Sequence, residues 1–454
     1  MQFNNRTEQP NRGTWNLQRC EFIERGSELK HYAILVCGIP RGRCDERLIN
    51  QFLERLSGAA YENGVVIDRP LDIQYVDRIT DISAAFKKYL RDYEKLQLIV
   101  SIVGSKPCSE YSEVKRCGDI KYDIMTQNFT LRNIQNCVTP KGAQALLNIV
   151  HELNYKLGGV TSKIDQGNAV AKRYLYEPIV YIGADLAHPG PGSTQPSLAA
   201  VVSNIDTHPS RYVAAVRVQE MEPKTETDKK LSRDVIQNMR EMVRQALKQY
   251  YKKSRMKPKK IVIYRSGVSE GQFLQVLKHE MRAVRQACTD LEEDYQPGIT
   301  FIVVTKTHHT RFVPARSNNP KQNCDPGTVV DSHVTHPTAF DFFLLSHQGI
   351  QGTSRPTHYH VLHDDNHFKS DDLEELTFFL THLYARCPRS VSVPTPVYYA
   401  TLATNRAREH VKHIAMEQLE MRSSHSGDAP RVDLTEIANG ISVAKNLLKR
   451  MYFI

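Results

Sequence analysis

The segment YIGADLAHP, residues 181–189, organises the rest of the sequence. Its apolar residues predict a buried strand that carries the carboxylate of Asp185 near its end and is stopped by Pro189. The elements predicted after it are two further strands, a long amphipathic helix and a fourth strand, at residues 197–206, 212–221, 229–253 and 259–264. This order predicts a single sheet with an acidic residue on its first strand.

Three strands, a helix and a further strand are typical of an RNase H-type layer, which we predict for residues 161–454. In such a layer a carboxylate on the first strand lies mid-sheet, where a divalent metal ion can bind beside a phosphodiester. In residues 29–160 strands alternate with helices, which predicts a parallel, Rossmann-like sheet. Residues 1–28 are polar and read as a linker that Trp15 pins to a neighbouring surface. The predicted fold class is therefore α/β, with two domains.

The composition favours a basic protein of a reducing compartment. The 454 residues suffice for two or three domains, and 60 Lys and Arg against 50 Asp and Glu give a net charge of +10. That charge suits a polyanionic partner, although it also fits a merely soluble basic protein. Nine cysteines without any CxxC spacing argue against a disulfide framework and a zinc ribbon. The polar start and the short apolar runs predict a cytoplasmic protein with no membrane partner.

A phosphate-binding segment is predicted at residues 111–116, where Tyr-Ser-Glu-Val-Lys-Arg follows a buried strand and opens a helix. A helix start offers free N–H groups and a partial positive charge, so it binds anions readily. Gln127 and Lys156, on the next strand and helix, are able to converge there. Taken alone, a Lys-Arg pair on a helix is more often part of a solvated face, and that interpretation is favoured without further support.

Several long motifs, of which this segment is one, allow the chain to be compared with a known family. They are YSEVKRCGD (111–119), KLGG (156–159), YIGADLAHP (181–189), YRSGVSEGQF (264–273) and SHQGIQGTSRPTHYHVL (346–362). With them the chain resembles the MID and PIWI domains of a eukaryotic Argonaute, from about Gly13 to Ile454. The resemblance implies that residues 29–160 form a MID domain and that residues 161–454 form an RNase H-like PIWI domain.

The resemblance implies that the first domain binds the 5′ phosphate of a small guide RNA. The implied ligands are Tyr111, Lys115, Gln127, Lys156 and, from the other domain, Arg406. One position departs from the family, because Glu152 stands where a basic residue is usual. A carboxylate repels a phosphate unless it forms a salt bridge with a neighbouring lysine or shares a metal ion with the phosphate.

The resemblance also implies a cleavage centre, which is degenerate here. An active Argonaute uses Asp, Glu, Asp and His, and the matching positions hold Asp185, Asp234, Ser266 and Thr401. Hydroxyls are neutral, weak metal ligands, so the sequence predicts that Mg²⁺ binds weakly at Asp185 and that target RNA is not cut. The alternative is a Mg²⁺-dependent slicer with a rearranged ligand set, in which Glu220, Glu222 or Glu226 substitutes.

A channel for the guide backbone and a partner surface are implied as well. The implied channel residues are Lys306, His309, Arg311, Tyr384, Arg386, Ser392 and Tyr398. They would hold phosphates while base pairing with the target RNA supplies specificity. A second surface resembles the site for Gly-Trp silencing proteins, with core packing as an equal alternative. Its residues are Leu247, Tyr251, Lys257, Leu291 and Tyr295.

Four histidines near the end of the last sheet raise the question of a zinc site. His358 and His360 share one strand face, and His363 and His367 follow. No cysteine or carboxylate completes an obvious ligand set in the sequence, so packing and surface exposure are the predicted roles.

Overall fold

The computed structural model describes residues 1–190, 195–219, 233–315, 322–349, 351–423 and 434–454. The strands are β1 Tyr32–Cys37, β2 Ile73–Val76, β3 Leu98–Val103, β4 Met125–Thr130, β5 Ile179–Ala187, β6 Ser197–Asn204, β7 Tyr212–Gln219, β8 Lys260–Ser266, β9 Gly298–Thr305, β10 Thr328–Val330, β11 Asp341–Leu345 and β12 Thr357–Asp364. The α-helices are α1 Glu46–Glu62, α2 Ile79–Asp92, α3 Ser109–Arg116, α4 Leu131–Cys137, α5 Ala143–Lys156, α6 Ala169–Leu175, α7 Met239–Ser254, α8 Phe273–Val276, α9 Arg282–Thr289, α10 Ser370–Leu380, α11 Thr395–Ser423 and α12 Leu434–Gly440.

The first sheet has the order β2-β1-β3-β4, and its neighbouring strands are parallel. Alternate residues of β1 enter two separate cores, because successive side chains of a strand point to opposite faces. Ile34 packs in the core that contains Phe52 of α1, whereas Leu35 packs in the core that contains Phe86 of α2. Helices therefore cover both faces, as the predicted Rossmann-like sheet requires.

The second sheet has the order β10-β11-β12-β9-β8-β5-β6-β7. β5 pairs in parallel with β8 and antiparallel with β6, and β6 pairs antiparallel with β7. The segment at residues 181–189 thus supplies a central strand, and Asp185 lies near its carboxyl end. The α/β fold with an RNase H-like second unit is confirmed.

Gly183 lets the long helix α11 approach the second sheet at β5. A Cβ atom on Gly183 would lie 2.0 Å from the carbonyl carbon of Pro396, in the first turn of α11. No side chain fits at that distance, so only glycine lets the helix backbone rest on the strand. This close contact brings the first turns of α11 over the end of β5, where Asp185 lies.

The N-terminal residues pack against both sheet units. Short bridges join Gln2 to Lys163 and Glu24 to Val160. The Trp15 ring is buried and stacks on His382, with 5.7 Å between ring centroids. As predicted, the single tryptophan fixes this segment to a neighbouring surface.

The helix predicted at residues 229–253 is observed as α7, which starts at Met239, and residues 229–232 lie outside the described residues. A buried ion pair holds the residues before it in turns. The guanidinium of Arg265 lies 3.0 Å from the Glu280 carboxylate and also donates to the carbonyl oxygen of Asp234. Glu280 accepts the N–H of Ile236 at 2.8 Å. These backbone groups bind side chains instead of a preceding helical turn. Among the described helices, none has the length and apolarity needed to cross a bilayer.

Candidate functional site

A pocket of about 390 Å³ lies where the first sheet unit meets α11. All five residues predicted to bind the guide 5′ phosphate line it, namely Tyr111, Lys115, Gln127, Lys156 and Arg406. The first two lie on α3, which follows β3, and the third lies on β4. Three sequence segments of the first unit and one helix of the second therefore meet at one place.

Two buried lysine ammonium groups lie close together in this pocket. Lys115 and Lys156 are each 1% exposed, and their Nζ atoms donate to the same carbonyl oxygen, that of Thr126, at 3.3 and 3.2 Å. Burial, reinforced by the cations of Arg406 and Lys156, lowers the pKa of Lys115 well below its usual value. Burial and Arg406 lower the pKa of Lys156 to about 8, although Glu152 opposes that shift. An anion between these groups would relieve their mutual repulsion.

Arg406 reaches the pocket from α11 and is held by a buried carboxylate. Its Nη1 lies 2.9 Å from Asp119 and 2.7 Å from the carbonyl oxygen of Tyr452. Burial alone would raise the pKa of Asp119, but Arg406 and the hydrogen bond from His410 hold it below its usual range. The guanidinium is therefore fixed in place by the two units together, which pre-organises it for an anionic ligand.

Glu152 forms the salt bridges that the sequence left open as one alternative. Its carboxylate lies 3.2 Å from Lys156 Nζ and 3.3 Å from Arg386 Nε. Burial opposes ionisation, but these two cations hold the pKa of Glu152 at about 2. Lys156 of the first unit and Arg386 of the second therefore neutralise the charge of Glu152. Arg386 lines this pocket as well.

Lys106 is a pocket residue that the sequence reasoning missed. Its Nζ lies 4.1 Å from the centre of the Tyr111 ring, in a cation–π contact, and its side chain lines the pocket. Its position five residues before Tyr111, in the loop that opens α3, is the signal that was available. With Lys106 the pocket holds five cationic side chains, counting Lys115, Lys156, Arg386 and Arg406.

The four positions of the predicted cleavage centre lie at the carboxyl end of β5 and around it. Ser266 Oγ donates to one carboxylate oxygen of Asp185 at 2.6 Å, and Thr401 Oγ1 donates to the other at 2.9 Å. Ser266 ends β8, the neighbour of β5, and Thr401 lies on α11. The two hydroxyls therefore satisfy both oxygens of the one carboxylate that matches the family's first position.

Asp234, the second acidic residue of the centre, binds neighbouring side chains. Its Oδ1 lies 2.9 Å from His188 Nε2, and its Oδ2 accepts from the side-chain amide of Gln272. His188 follows the end of β5, so this pair connects Asp234 to the strand of Asp185. The imidazole of His188 and the side-chain amide of Gln272 therefore hold the Asp234 carboxylate in place.

The described side chains at these positions offer few of the anionic oxygens that a pair of Mg²⁺ ions needs. Such ions need several hard, anionic oxygens, whereas Ser266 and Thr401 supply neutral hydroxyls whose protons point at Asp185. Within the described ranges, Asp185 and Asp234 belong to no group of three ligand side chains whose donor atoms lie within 4.8 Å of one another. The substitutes considered from the sequence, Glu220, Glu222 and Glu226, lie outside the described residues.

The predicted channel residues divide into groups. Lys306, Ser392 and Tyr398 line a second cavity of about 970 Å³, which also contains Asp234, Ser266 and Thr401. Lys306 Nζ donates to Ser392 Oγ at 2.6 Å, and burial, with Arg355 nearby, lowers the pKa of Lys306. Three of the predicted channel residues therefore lie beside the cleavage positions.

The other channel residues lie elsewhere. Tyr384 is buried and packs on Tyr398, with 4.7 Å between ring centroids, while Arg386 faces the phosphate pocket. Arg311 donates to the carbonyl oxygens of His308 and Thr310 within its own loop. Neither His309, which is exposed, nor Arg311 is among the described residues that line the larger cavity.

The predicted partner surface is mixed. Leu247 is buried in the core, whereas Tyr251 on the same helix is 48% exposed. Lys257 forms an ion pair with Glu292, and the Tyr295 hydroxyl donates to the carbonyl oxygen of Pro258 at 2.9 Å. Core packing thus accounts for Leu247, and docking of Gly-Trp proteins at the rest of the surface stays a prediction.

Comparison with known protein families decides the identity of the fold. The family described as Piwi domain matches residues 98–412, more than half of the chain, and the family described as Mid domain of argonaute matches residues 9–92. The chain belongs to the Argonaute family. The two matches divide the chain before β3, whereas hydrogen bonds within the first sheet join β3 to β1 and β4 to β3.

Solved Argonaute structures share this fold. The C-terminal lobe of a budding yeast Argonaute has a TM-score of 0.81 and 24% identity, covering 99% of this chain and 91% of that one. Kluyveromyces polysporus Argonaute with a guide RNA has a TM-score of 0.81 and 24% identity, covering 97% of this chain and 53% of that one. Drosophila Piwi has a TM-score of 0.76 and 24% identity, covering 100% of this chain and 55% of that one. The chain thus spans about half the length of the two longer relatives.

Proposed function

We propose that this Argonaute chain binds a small guide RNA by its 5′ phosphate, orders the guide for pairing and does not cut the target RNA. The observation that carries the proposal is the pair of buried ammonium groups of Lys115 and Lys156, which share one acceptor in a pocket with Arg406. A phosphate dianion is the ligand that best compensates converging buried cations. The relative solved with a guide RNA has the same fold. Silencing in the cytoplasm, with Gly-Trp proteins as partners, is the proposed output.

Binding of matched RNAs tests the anchoring step. A fluorescently labelled short RNA with a 5′ phosphate is titrated with the protein, and its affinity is compared with that of the same RNA with a 5′ hydroxyl. We expect the phosphorylated RNA to bind more tightly, because only it reaches the pocket cations. Equal affinities for the two RNAs would contradict the proposal.

The affinity for the phosphorylated guide should fall as the pH rises from about 7 to about 9. The pKa of Lys156 is about 8 in the free pocket, and the pKa of Lys115 is also lowered. Below these pKa values the ammonium groups attract the phosphate, and above them the neutral amines do not. A bound phosphate raises both pKa values, so protonation and binding favour each other. Anisotropy titrations across this range, with the 5′-hydroxyl RNA as control, should show the loss mainly for the phosphorylated RNA; a flat profile would contradict the assignment.

Replacing Glu152 by Gln should strengthen binding of the phosphorylated guide by roughly fivefold, since removing a like charge near the phosphate saves on the order of 1 kcal/mol. The same change frees Lys156 and Arg386 from their ion pairs with Glu152. The 5′-hydroxyl RNA serves as the control and should bind with unchanged affinity. Weaker binding of the phosphorylated RNA would instead mean that Glu152 acts mainly by positioning Arg386.

A further inference from the structure

The larger cavity has a cluster of imidazoles in its wall. His308, His358 and His360 line it. His358 and His360 are two residues apart on β12, so their side chains leave the same face of the strand. Their rings lie 3.8 Å apart between centroids. Two imidazoles on the same strand face and this close together can offer nitrogen ligands to one ion.

A buried carboxylate completes the pair, contrary to the expectation from the sequence. The antiparallel pairing of β11 and β12 places Asp341 opposite His360, and Asp341 Oδ2 lies 2.6 Å from His358 Nε2. Among the described residues, Asp341, His358 and His360 are the group whose ligand atoms all lie within 4.8 Å of one another. The sequence could not reveal the set, because strand pairing and not a local spacing brings the carboxylate to the imidazoles.

The surroundings hold these ligands in place. The backbone N–H of His336 donates to the other oxygen of Asp341 at 2.8 Å, and the ring of His358 stacks on Phe343 at 3.9 Å. The ring of His360 packs on Phe273 at 5.0 Å. Orientation of carboxylate and imidazole ligands by outer hydrogen bonds and packing is typical of metal sites.

His308 adds an independent observation. Its Nε2 faces the carbonyl oxygen of Pro356 at 3.0 Å, and because a carbonyl only accepts, this nitrogen carries the proton. The lone pair of the ring is then on Nδ1, which is buried and has no hydrogen-bond partner among the described residues. The ring centroid lies 6.2 Å from that of His358. An imidazole with one nitrogen bound to a carbonyl and the other unpaired is in the state of a metal ligand.

We propose that Asp341, His358 and His360 bind one Zn²⁺ ion, with an open coordination position that faces the larger cavity. Two imidazole nitrogens and one carboxylate oxygen are a common ligand set for zinc, whereas Mg²⁺ prefers oxygen alone. Binding of the ion releases to solvent the proton that His358 shares with Asp341, and the two side chains separate so that the nitrogen and the oxygen each bind the ion. Water from the cavity completes the coordination. The proposed ligands are different residues from the four cleavage positions, and the proposal does not depend on guide binding.

Metal titration of the guide-free protein tests the site. The protein is freed of metal with a chelator and titrated with Zn²⁺ against a chromophoric chelator, and in parallel with Co²⁺ while the visible absorption is recorded. We expect about one ion per chain, with Co²⁺ bands of a low-coordinate nitrogen and oxygen site. A strong near-ultraviolet thiolate-to-cobalt band would overturn the proposal, because it would assign the ion to cysteines.

Variants locate the ion. His360→Gln and Asp341→Asn are expected to weaken Zn²⁺ binding by at least about tenfold, the lower end of what loss of a metal-site residue costs. The matched control is His363→Gln, because His363 lies on the same strand and pairs with a carboxylate, Asp365, at 2.7 Å but outside the cluster. Far-ultraviolet circular dichroism and the melting temperature without metal check that each variant folds. Unchanged Zn²⁺ affinity in folded His360→Gln would overturn the proposal.

Discussion

The triple variant Asp234→Glu, Ser266→Asp, Thr401→His is expected to cut a fully complementary target RNA in Mg²⁺, opposite the middle of the guide, whereas the natural chain is not. Ser266 Oγ and Thr401 Oγ1 lie 2.6 and 2.9 Å from the two oxygens of Asp185. Anionic and imidazole ligands introduced at these places would surround the position where ions clamp the reacting phosphodiester. Because metal charge is a main source of transition-state stabilisation, the rate should rise by several powers of ten.

A second measurement keeps this prediction testable if the variant cuts slowly. Ser266→Asp puts a second carboxylate against Asp185, and two like charges at that distance destabilise the fold until a cation binds. The melting temperature should therefore fall without metal and recover with Mn²⁺ or Mg²⁺, while that of the natural chain should respond little. Adding Asp185→Asn to the triple variant is the control and should abolish both effects. Equal metal-dependent cutting by the natural chain would contradict the proposed loss of cleavage and favour the rearranged ligand set.

Replacing Lys115 by Gln should weaken binding of the 5′-phosphorylated guide by about 10- to 100-fold, since a charged hydrogen bond contributes about 1.5–3 kcal/mol. Lys115 is 1% exposed and lies in the pocket beside Tyr111. Glutamine keeps a donor for Thr126, so the fold is preserved while the charge is lost. The measurement is the ratio of affinities for the phosphorylated and hydroxyl RNAs.

The matched control for this change is Arg116→Gln. Arg116 is the next residue of the same helix, but its guanidinium pairs with Glu113 at 2.7 Å and does not line the pocket. It should leave the affinity ratio unchanged. If Lys115→Gln weakened both RNAs equally, the lysine would act on the channel or on folding instead of on the phosphate.

Much of this architecture is predictable from the sequence, because it follows from local patterns. The apolar run that ends in Asp185 predicts a central strand, and the alternation of strands and helices predicts the first sheet. The long motifs identify Lys115, Lys156 and Ser266 as positions of two sites. Convergence of these residues from distant segments follows only from the family resemblance.

The remaining features depend on contacts that no local pattern encodes. The ion pair of Glu152 with Arg386 needs the docking of α5 against a loop of the second unit. Asp341 meets His358 only through the pairing of β11 with β12. A sequence lists the charges of such groups but not which of them share a pocket wall, so their protonation and ligands follow only from the fold.

The helix α11 fixes the distance between the phosphate pocket and the larger cavity. Thr401 and Arg406 are five residues apart on it, which is about 7.5 Å along the axis. Leu402 and Asn405 between them line both cavities, so the two spaces adjoin. If the guide RNA binds as proposed, the helix sets the distance between its 5′ phosphate at Arg406 and the position of Thr401. Inserting one residue between Thr401 and Arg406 would turn Arg406 by about 100° around the helix axis, so that its side chain would no longer point into the phosphate pocket.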